Sequence, residues 1–104
     1  MDQEHKKKAM EILGIDEEIF NELLQCFLIE AQEEIDKLDG AIATDNFLVI
    51  SQIGHGLKGM AGNLYMTHMQ DLAKTLETLA KEAKDKQAII QKAEELKLAM
   101  KELQ

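Results

Sequence analysis

The sequence contains no proline and no tryptophan, and aromatic residues make up only 4% of its 104 residues. Leucine, alanine, glutamate and lysine are plentiful instead, and this composition favours helices and excludes a β-sandwich or barrel. Hydrophobic residues reach 45%, which is enough to build a core and excludes wholesale disorder. A chain of this length typically forms one core, so residues 1–104 are predicted to be a single all-α domain.

The chain also lacks long apolar runs, paired cysteines and a basic surplus. No segment approaches the roughly 18 apolar residues needed to span a bilayer, and the polar N-terminus does not resemble a signal peptide. Cys26 is the one cysteine and cannot form an internal disulfide, which agrees with a reducing compartment. A net charge of -8 argues against nucleic-acid binding. We therefore expect a cytoplasmic protein that binds neither membranes nor nucleic acids.

Apolar spacing divides the chain into helices. Residues 3–13 are predicted to form a short first helix that Gly14 ends, and Asp16 is a good N-cap for the next. The second helix is predicted to run to about Ala43, because apolar residues recur at spacings of three and four: Phe20, Leu23, Leu24, Phe27, Leu28, Ala31, Ile35, Leu38 and Ile42.

Three more helices follow the same rules. Asp45 is predicted to cap the third helix, Thr67 to open a capping box for the fourth, and Lys84 and Asp85 to form the turn before the last. Residues 16–104 therefore predict an antiparallel up-down four-helix bundle, because short turns join long amphipathic helices. The first short helix would pack across one end.

Glycine is concentrated where it costs most. Four of the six glycines lie inside the third helix, at Gly54, Gly56, Gly59 and Gly62. Each glycine in a helix interior costs about 0.8 to 1.0 kcal/mol relative to alanine, so a stabilising or functional reason is needed. Close helix packing explains Gly54, which lies near the core side.

His55 lies on the opposite side of the same helix. At about 100° per residue it is about 160° from the centre of the apolar stripe, which predicts exposure to solvent. Small or polar residues are predicted to share its face and to let a partner approach the imidazole: Ser51, Gln52, Lys58, Gly59 and Gly62.

An exposed imidazole beside Lys58 favours an anionic group over a metal. Histidine titrates near neutral pH, so its neutral, nucleophilic form is available in the cytoplasm. The Lys58 ammonium would repel a metal cation and stabilise a phosphoryl group placed on the ring. The metal spacings HxxH, HExxH, ExxH and CxxC are absent, and we expect no metal site. His5 and His68 lack such a lysine and glycine face and are interpreted as ordinary surface residues.

The ten residues from His55 to Leu64, HGLKGMAGNL, closely resemble the H-x-L-K-G-x-x-x-x-L signature of histidine-containing phosphotransfer (HPt) domains. The resemblance extends from about Ile15 to the C-terminus. HPt domains are four-helix bundles that carry a phosphoryl group on histidine Nε2 between the aspartates of receiver domains in multistep phosphorelays. The resemblance implies the same fold and function here.

The resemblance also implies roles for individual residues. His55 matches the phosphoacceptor, Lys58 the lysine that neutralises charge, and Gly59 the small residue that admits the receiver. Glu77 falls where many members place a glutamine or glutamate that orients the imidazole. Two positions depart from the family pattern, with Met60 where serine or alanine is common and Tyr65 where a glycine usually ends the helix.

The chain has no P-loop and no kinase glycine loop, so it has no evident means of binding ATP. We therefore expect a monomeric phosphocarrier that is not an enzyme and has no cofactor, with Mg²⁺ only on the partner receiver. The partners would be response-regulator receivers, among them receivers of hybrid histidine kinases. Met1, directly followed by a helical segment, slightly favours a free-standing protein over a piece of such a kinase. The alternative is a helical adaptor that binds a receiver or kinase without being phosphorylated.

Three residues of the second helix fall outside its apolar stripe, namely Ile19, Cys26 and Ile29. Cover by the first short helix is one interpretation. The other is an exposed patch that docks receivers beside His55.

Overall fold

A computed structural model describes residues 2–104, and all regular secondary structure in that range is helical. The helices are, in chain order, α1 (Gln3–Leu13), α2 (Glu17–Asp36), α3 (Leu38–Ala43), α4 (Phe47–Asn63), α5 (Thr67–Glu82) and α6 (Lys86–Leu103). The described chain measures 42 × 19 × 19 Å, so the long helices lie lengthwise. Because short turns join them, consecutive long helices run antiparallel. The predicted four-helix bundle with an added N-terminal helix is confirmed.

The core of the bundle is built from leucine, isoleucine, phenylalanine and methionine side chains of every long helix. The largest fully buried side chains are Phe20, Leu38, Ile50, Leu57, Leu76, Ile89, Leu96 and Met100. The apolar stripes of the sequence therefore face one another in the interior, which is the arrangement that amphipathic helices require.

The beginnings and ends of the first two helices follow local rules. Gly14 takes the left-handed backbone conformation, with φ of 68°, and ends α1. The Asp16 carboxylate accepts a hydrogen bond of 2.9 Å from the backbone N–H of Ile19 and so caps α2. Both features agree with the sequence prediction.

The predicted continuous helix to Ala43 is wrong, because the chain tightens at Lys37. The Lys37 backbone N–H donates to the Glu34 carbonyl, three residues back rather than four. The buried side chains on either side, Ile35 and Leu38, are also three residues apart. Residues three apart also share one face of a regular helix, and the single tighter turn at Lys37 leaves both on the core side.

The prediction that Asp45 caps the helix of His55 is wrong. Asn46 caps α4 instead, accepting from the backbone N–H of Val49 at 3.3 Å. Asp45 adopts a left-handed conformation with φ of 52°, which aspartate tolerates better than most residues. Its carboxylate pairs with Lys86 at 2.8 Å, so it fastens this turn to the start of α6.

The capping box predicted at Thr67 does not form. Met66 occupies the N-cap position of α5, without a side-chain hydrogen bond to the helix. Met66 is buried, so packing rather than capping fixes the start of this helix.

Helix α1 lies beside the turn between α4 and α5. The Nε2–H of His5 donates to the backbone carbonyl of Tyr65 at 2.8 Å, because a carbonyl can only accept. Tyr65 has a φ of 56°, a conformation that glycine adopts at less cost. The position where the family usually has glycine therefore keeps the left-handed backbone here with a tyrosine.

The interpretation that α1 covers the second helix is wrong. Ile19, Cys26 and Ile29 are all exposed, because α1 packs at the end of the bundle. No helix among residues 2–104 is long and apolar enough to cross a membrane.

Candidate functional site

Gly54 brings α4 and α5 into close contact below the candidate site. A Cβ at this position would lie 2.9 Å from the Ala73 carbonyl oxygen and 2.9 Å from the Glu77 backbone nitrogen. Neither atom belongs to a flexible side chain, so only glycine permits this distance between the two helices. Gly54 is buried, as the packing interpretation of the sequence predicts.

One residue further along α4, His55 points to solvent. Its side chain is 71% exposed, which confirms the exposure that the helical wheel predicts. Gly59, one turn on, is exposed, and a Cβ there would meet no atom within 4 Å. The imidazole therefore stands above an open helical surface that a partner can approach.

Glu77 of α5 connects the functional side chains of the two helices. Its Oε2 accepts from Nδ1 of His55 at 3.0 Å, and its Oε1 accepts from Nζ of Lys58 at 2.8 Å. Lys81, one turn further along α5, lies 3.3 Å from the same Oε2. One carboxylate thus contacts the imidazole and two ammonium groups.

The two lysines keep Glu77 ionised. The hydrogen bond from Lys58 is the largest cause that lowers the pKa of Glu77 from 4.5 to about 2, and Lys81 and His55 lower it further against the opposing effect of burial. An ionised carboxylate can only accept, so Nδ1 of His55 must carry the hydrogen of the shared bond. In the neutral ring the lone pair is then on Nε2, which is the atom free to attack an electrophile.

The remaining residues of the predicted docking face are not all exposed. Ser51 is only 7% exposed and its hydroxyl donates to the Leu48 carbonyl, so its predicted place on the open face is wrong. Gly62 is half-buried, because the Gln70 side chain reaches over it and a Cβ there would lie 2.7 Å from Gln70 Nε2. Gln52 is exposed as expected.

A groove between α2 and α4 runs along the side of the bundle on which Gln52 lies. One pocket of about 180 Å³ is lined by Leu23, Phe27 and Met60, among others. A second, of about 450 Å³, is lined by Gln52, Gly56 and again Met60. Met60, where the family commonly has a small residue, therefore lines both pockets, and each pocket combines apolar and polar side chains.

The arrangement around His55 is that of a nucleophilic imidazole oriented by a carboxylate. A comparison with protein-family models matches residues 22–104 to the Hpt domain. The chain belongs to the Hpt domain family. The matched range includes every residue of the His55 site and leaves α1 outside. No curated protein and no solved structure gives a significant match to this Hpt domain.

The sequence resemblance did not single out Lys81. The sequence did contain a pattern that could have identified it, because Glu77 and Lys81 are four residues apart, and a glutamate and a lysine at this spacing form a stabilising pair on one helix face. Only the packing of α5 against α4 shows that this pair includes the carboxylate that contacts His55. Among residues 2–104, no cluster of three or more histidine, cysteine, aspartate or glutamate side chains could hold a metal ion.

Proposed function

We propose that this Hpt domain is a phosphorelay intermediate in which His55 takes a phosphoryl group from a receiver aspartyl-phosphate and passes it to another receiver. The observation that carries the proposal is the contact between His55 Nδ1 and the ionised Glu77, which leaves an exposed Nε2 as the nucleophile. Membership in a family of phosphocarriers supports the same chemistry. The partner receiver would supply Mg²⁺ and the aspartate.

The transfer requires one bond to form and one to break. Nε2 of His55 attacks phosphorus, the bond between phosphorus and the aspartate oxygen breaks, and the electron pair leaves with the aspartate as a carboxylate. The ring still carries its Nδ1 hydrogen and therefore becomes positively charged. Glu77 faces that hydrogen and stabilises the charge, while Lys58 lies one turn from His55 to stabilise the phosphoryl oxygens.

The open surface around His55 and the α2–α4 groove fit the docking of a receiver. Leu23 on α2 is partly exposed at the first pocket, and Gln52 and Gly56 line the second. Apolar contacts in the first pocket would provide affinity, while the glycine surface of α4 admits the aspartyl-phosphate to the imidazole.

Label transfer tests this function. Incubation with a receiver labelled on its aspartyl-phosphate should move the label to the wild-type chain. The label should be labile in acid and stable in alkali, because it is held by a phosphorus–nitrogen bond rather than by an ester or acyl phosphate. Binding of receivers without any transfer, with every receiver of the source organism tried, would instead support the adaptor function.

Gly59→Gln should separate docking from stability. The space around Gly59 is open, and glutamine has the better helix propensity, so the free energy of unfolding should be unchanged or higher by up to about 1 kcal/mol. Transfer from a receiver should slow about tenfold or more, because the added side chain obstructs contact with the imidazole. Urea unfolding and the time course of label transfer measure the two effects. Transfer at the wild-type rate would show that the receiver does not dock over Gly59.

A further inference from the structure

Lys81 shares a carboxylate oxygen with the reactive imidazole. Its Nζ is 3.3 Å from Glu77 Oε2, the atom that also accepts from His55 Nδ1. The other oxygen, Oε1, is already bonded to Lys58 at 2.8 Å. Glu77 therefore has a complete ion pair without Lys81, and the second ammonium group needs its own explanation.

The charges of the cluster formed by His55, Lys58, Glu77 and Lys81 explain the second ammonium group. Two ammonium groups face a single carboxylate, so the cluster has one surplus positive charge when the imidazole is neutral, although the chain as a whole has a net charge of -8. A phosphoryl group adds about -1.5 to -2 charges. Because the phosphorylated ring is itself positively charged, the modified side chain adds only about -0.5 to -1 charge in net, and the one surplus positive charge of the cluster balances it.

Lys81 is the lysine that is freer to change partner. Its side chain is 67% exposed, whereas that of Lys58 is 31% exposed. Exposed pairs four residues apart on a helix contribute little to stability. Lysine also has a flexible four-carbon stem, so its ammonium can leave Glu77 at low cost.

We propose that Lys81 is a second cation of the phosphoryl site, paired with Glu77 while His55 is free and with the phosphoryl oxygens once His55 carries the group. The proposal rests on the proposed function and adds to it a residue outside the family signature. When Lys81 leaves, Glu77 Oε2 retains the imidazole Nδ1–H as its remaining partner. The carboxylate then stabilises the positively charged ring of phosphohistidine more strongly.

The change of partner can be observed without any receiver. Phosphoramidate, a small donor that phosphorylates exposed imidazoles, is used to modify the full chain, and the ¹³Cε and ¹Hε resonances of Lys81 are compared before and after. We expect these resonances to shift, and the shift to be absent in identically treated His55→Gln. Lys101 on α6 is the internal control, because it is exposed and has no carboxylate partner among residues 2–104. Lys81 resonances that move no more than those of Lys101 would overturn the proposal.

Variants test the consequence for transfer from a phosphorylated receiver. Lys81→Ala should slow transfer about two- to fivefold, and Lys58→Ala a few-fold to about a hundredfold, as expected for charge pairs at exposed and half-buried sites. Lys81→Arg keeps the charge and should stay within about twofold of wild type. Lys101→Ala removes an equal charge and should have no effect. Equal rates for Lys81→Ala and Lys101→Ala would contradict a local role.

The two experiments distinguish this proposal from the function on which it rests. If phosphoramidate modifies His55 and moves the Lys81 resonances, but no receiver transfers its label, then the relay function is wrong and the phosphoryl contact of Lys81 stands. If receivers transfer label normally and the resonances of Lys81 do not move, the relay function stands and the role of Lys81 is wrong.

Discussion

His55→Gln should abolish acid-labile phosphorylation of the chain by a phosphorylated receiver. Glutamine keeps a polar side chain of similar length but has no nucleophilic ring nitrogen, so no phosphorus–nitrogen bond can form at this position. The other two histidines do not replace it. His5 is bonded through Nε2 to the Tyr65 carbonyl, and His68 lies in the first turn of α5, more than one helical turn from the His55 site.

The variant should fold normally, which makes the loss interpretable. His55 is 71% exposed, and exposed substitutions usually change the free energy of unfolding by no more than about 0.5 kcal/mol. His68→Gln is a matched control, because it is an equally conservative change at another exposed histidine and should be labelled like the wild type. Label retained by His55→Gln would refute the phosphohistidine mechanism and favour the adaptor function.

Gly54→Val should be the most destabilising of the glycine substitutions in α4. The new side chain would press against the Ala73 carbonyl oxygen and the Glu77 backbone nitrogen, each 2.9 Å from its Cβ. Overpacking of this kind typically costs about 1 to 3 kcal/mol, and the better helix propensity of valine offsets less than about 1 kcal/mol. We expect a net loss of about 2 kcal/mol in urea or thermal unfolding.

The same substitution should disturb the site. Because the contact is with the backbone of Glu77 itself, separating α4 from α5 moves the carboxylate away from His55 and Lys58. The ¹⁵N shifts of the His55 ring should then show less of the tautomer protonated on Nδ1, and label transfer should slow. Gly56→Val is the control: its Cβ meets nothing within 4 Å, so its stability should stay within about 0.5 kcal/mol of wild type. Equal stability of the two variants would show that Gly54 does not set the distance between the helices.

Local sequence rules correctly predicted the ends of the first helix and the start of the second. Gly14 and Asp16 act through their own backbone conformation or through a side chain that reaches three residues, so no distant contact is needed. The same rules failed at Asp45, where the neighbouring Asn46 is an equally good cap and the ion pair with Lys86 of α6 is a tertiary contact.

The exposure of individual residues on α4 was only partly predictable. A helical wheel correctly placed His55 towards solvent, because that direction depends on one helix. It failed for Gly62, because the side chain of Gln70 of α5 covers that position. It also failed for Ser51, which is buried although its hydroxyl bonds to a carbonyl of α4 itself. A helical wheel describes one helix alone, so it cannot show which of its residues a neighbouring helix covers.

The sequence by itself determined the helical class, the bundle and the candidate phosphoacceptor, because composition, apolar spacing and the motif at His55 are properties of short segments. Only the tertiary structure decided how Glu77 uses its two oxygens and that Lys81 joins the site. Glu77 lies 22 residues from His55 along the chain, and the contact exists because Gly54 lets α5 approach α4. Distances across two packed backbones depend on all the side chains between them, and so no single segment encodes them.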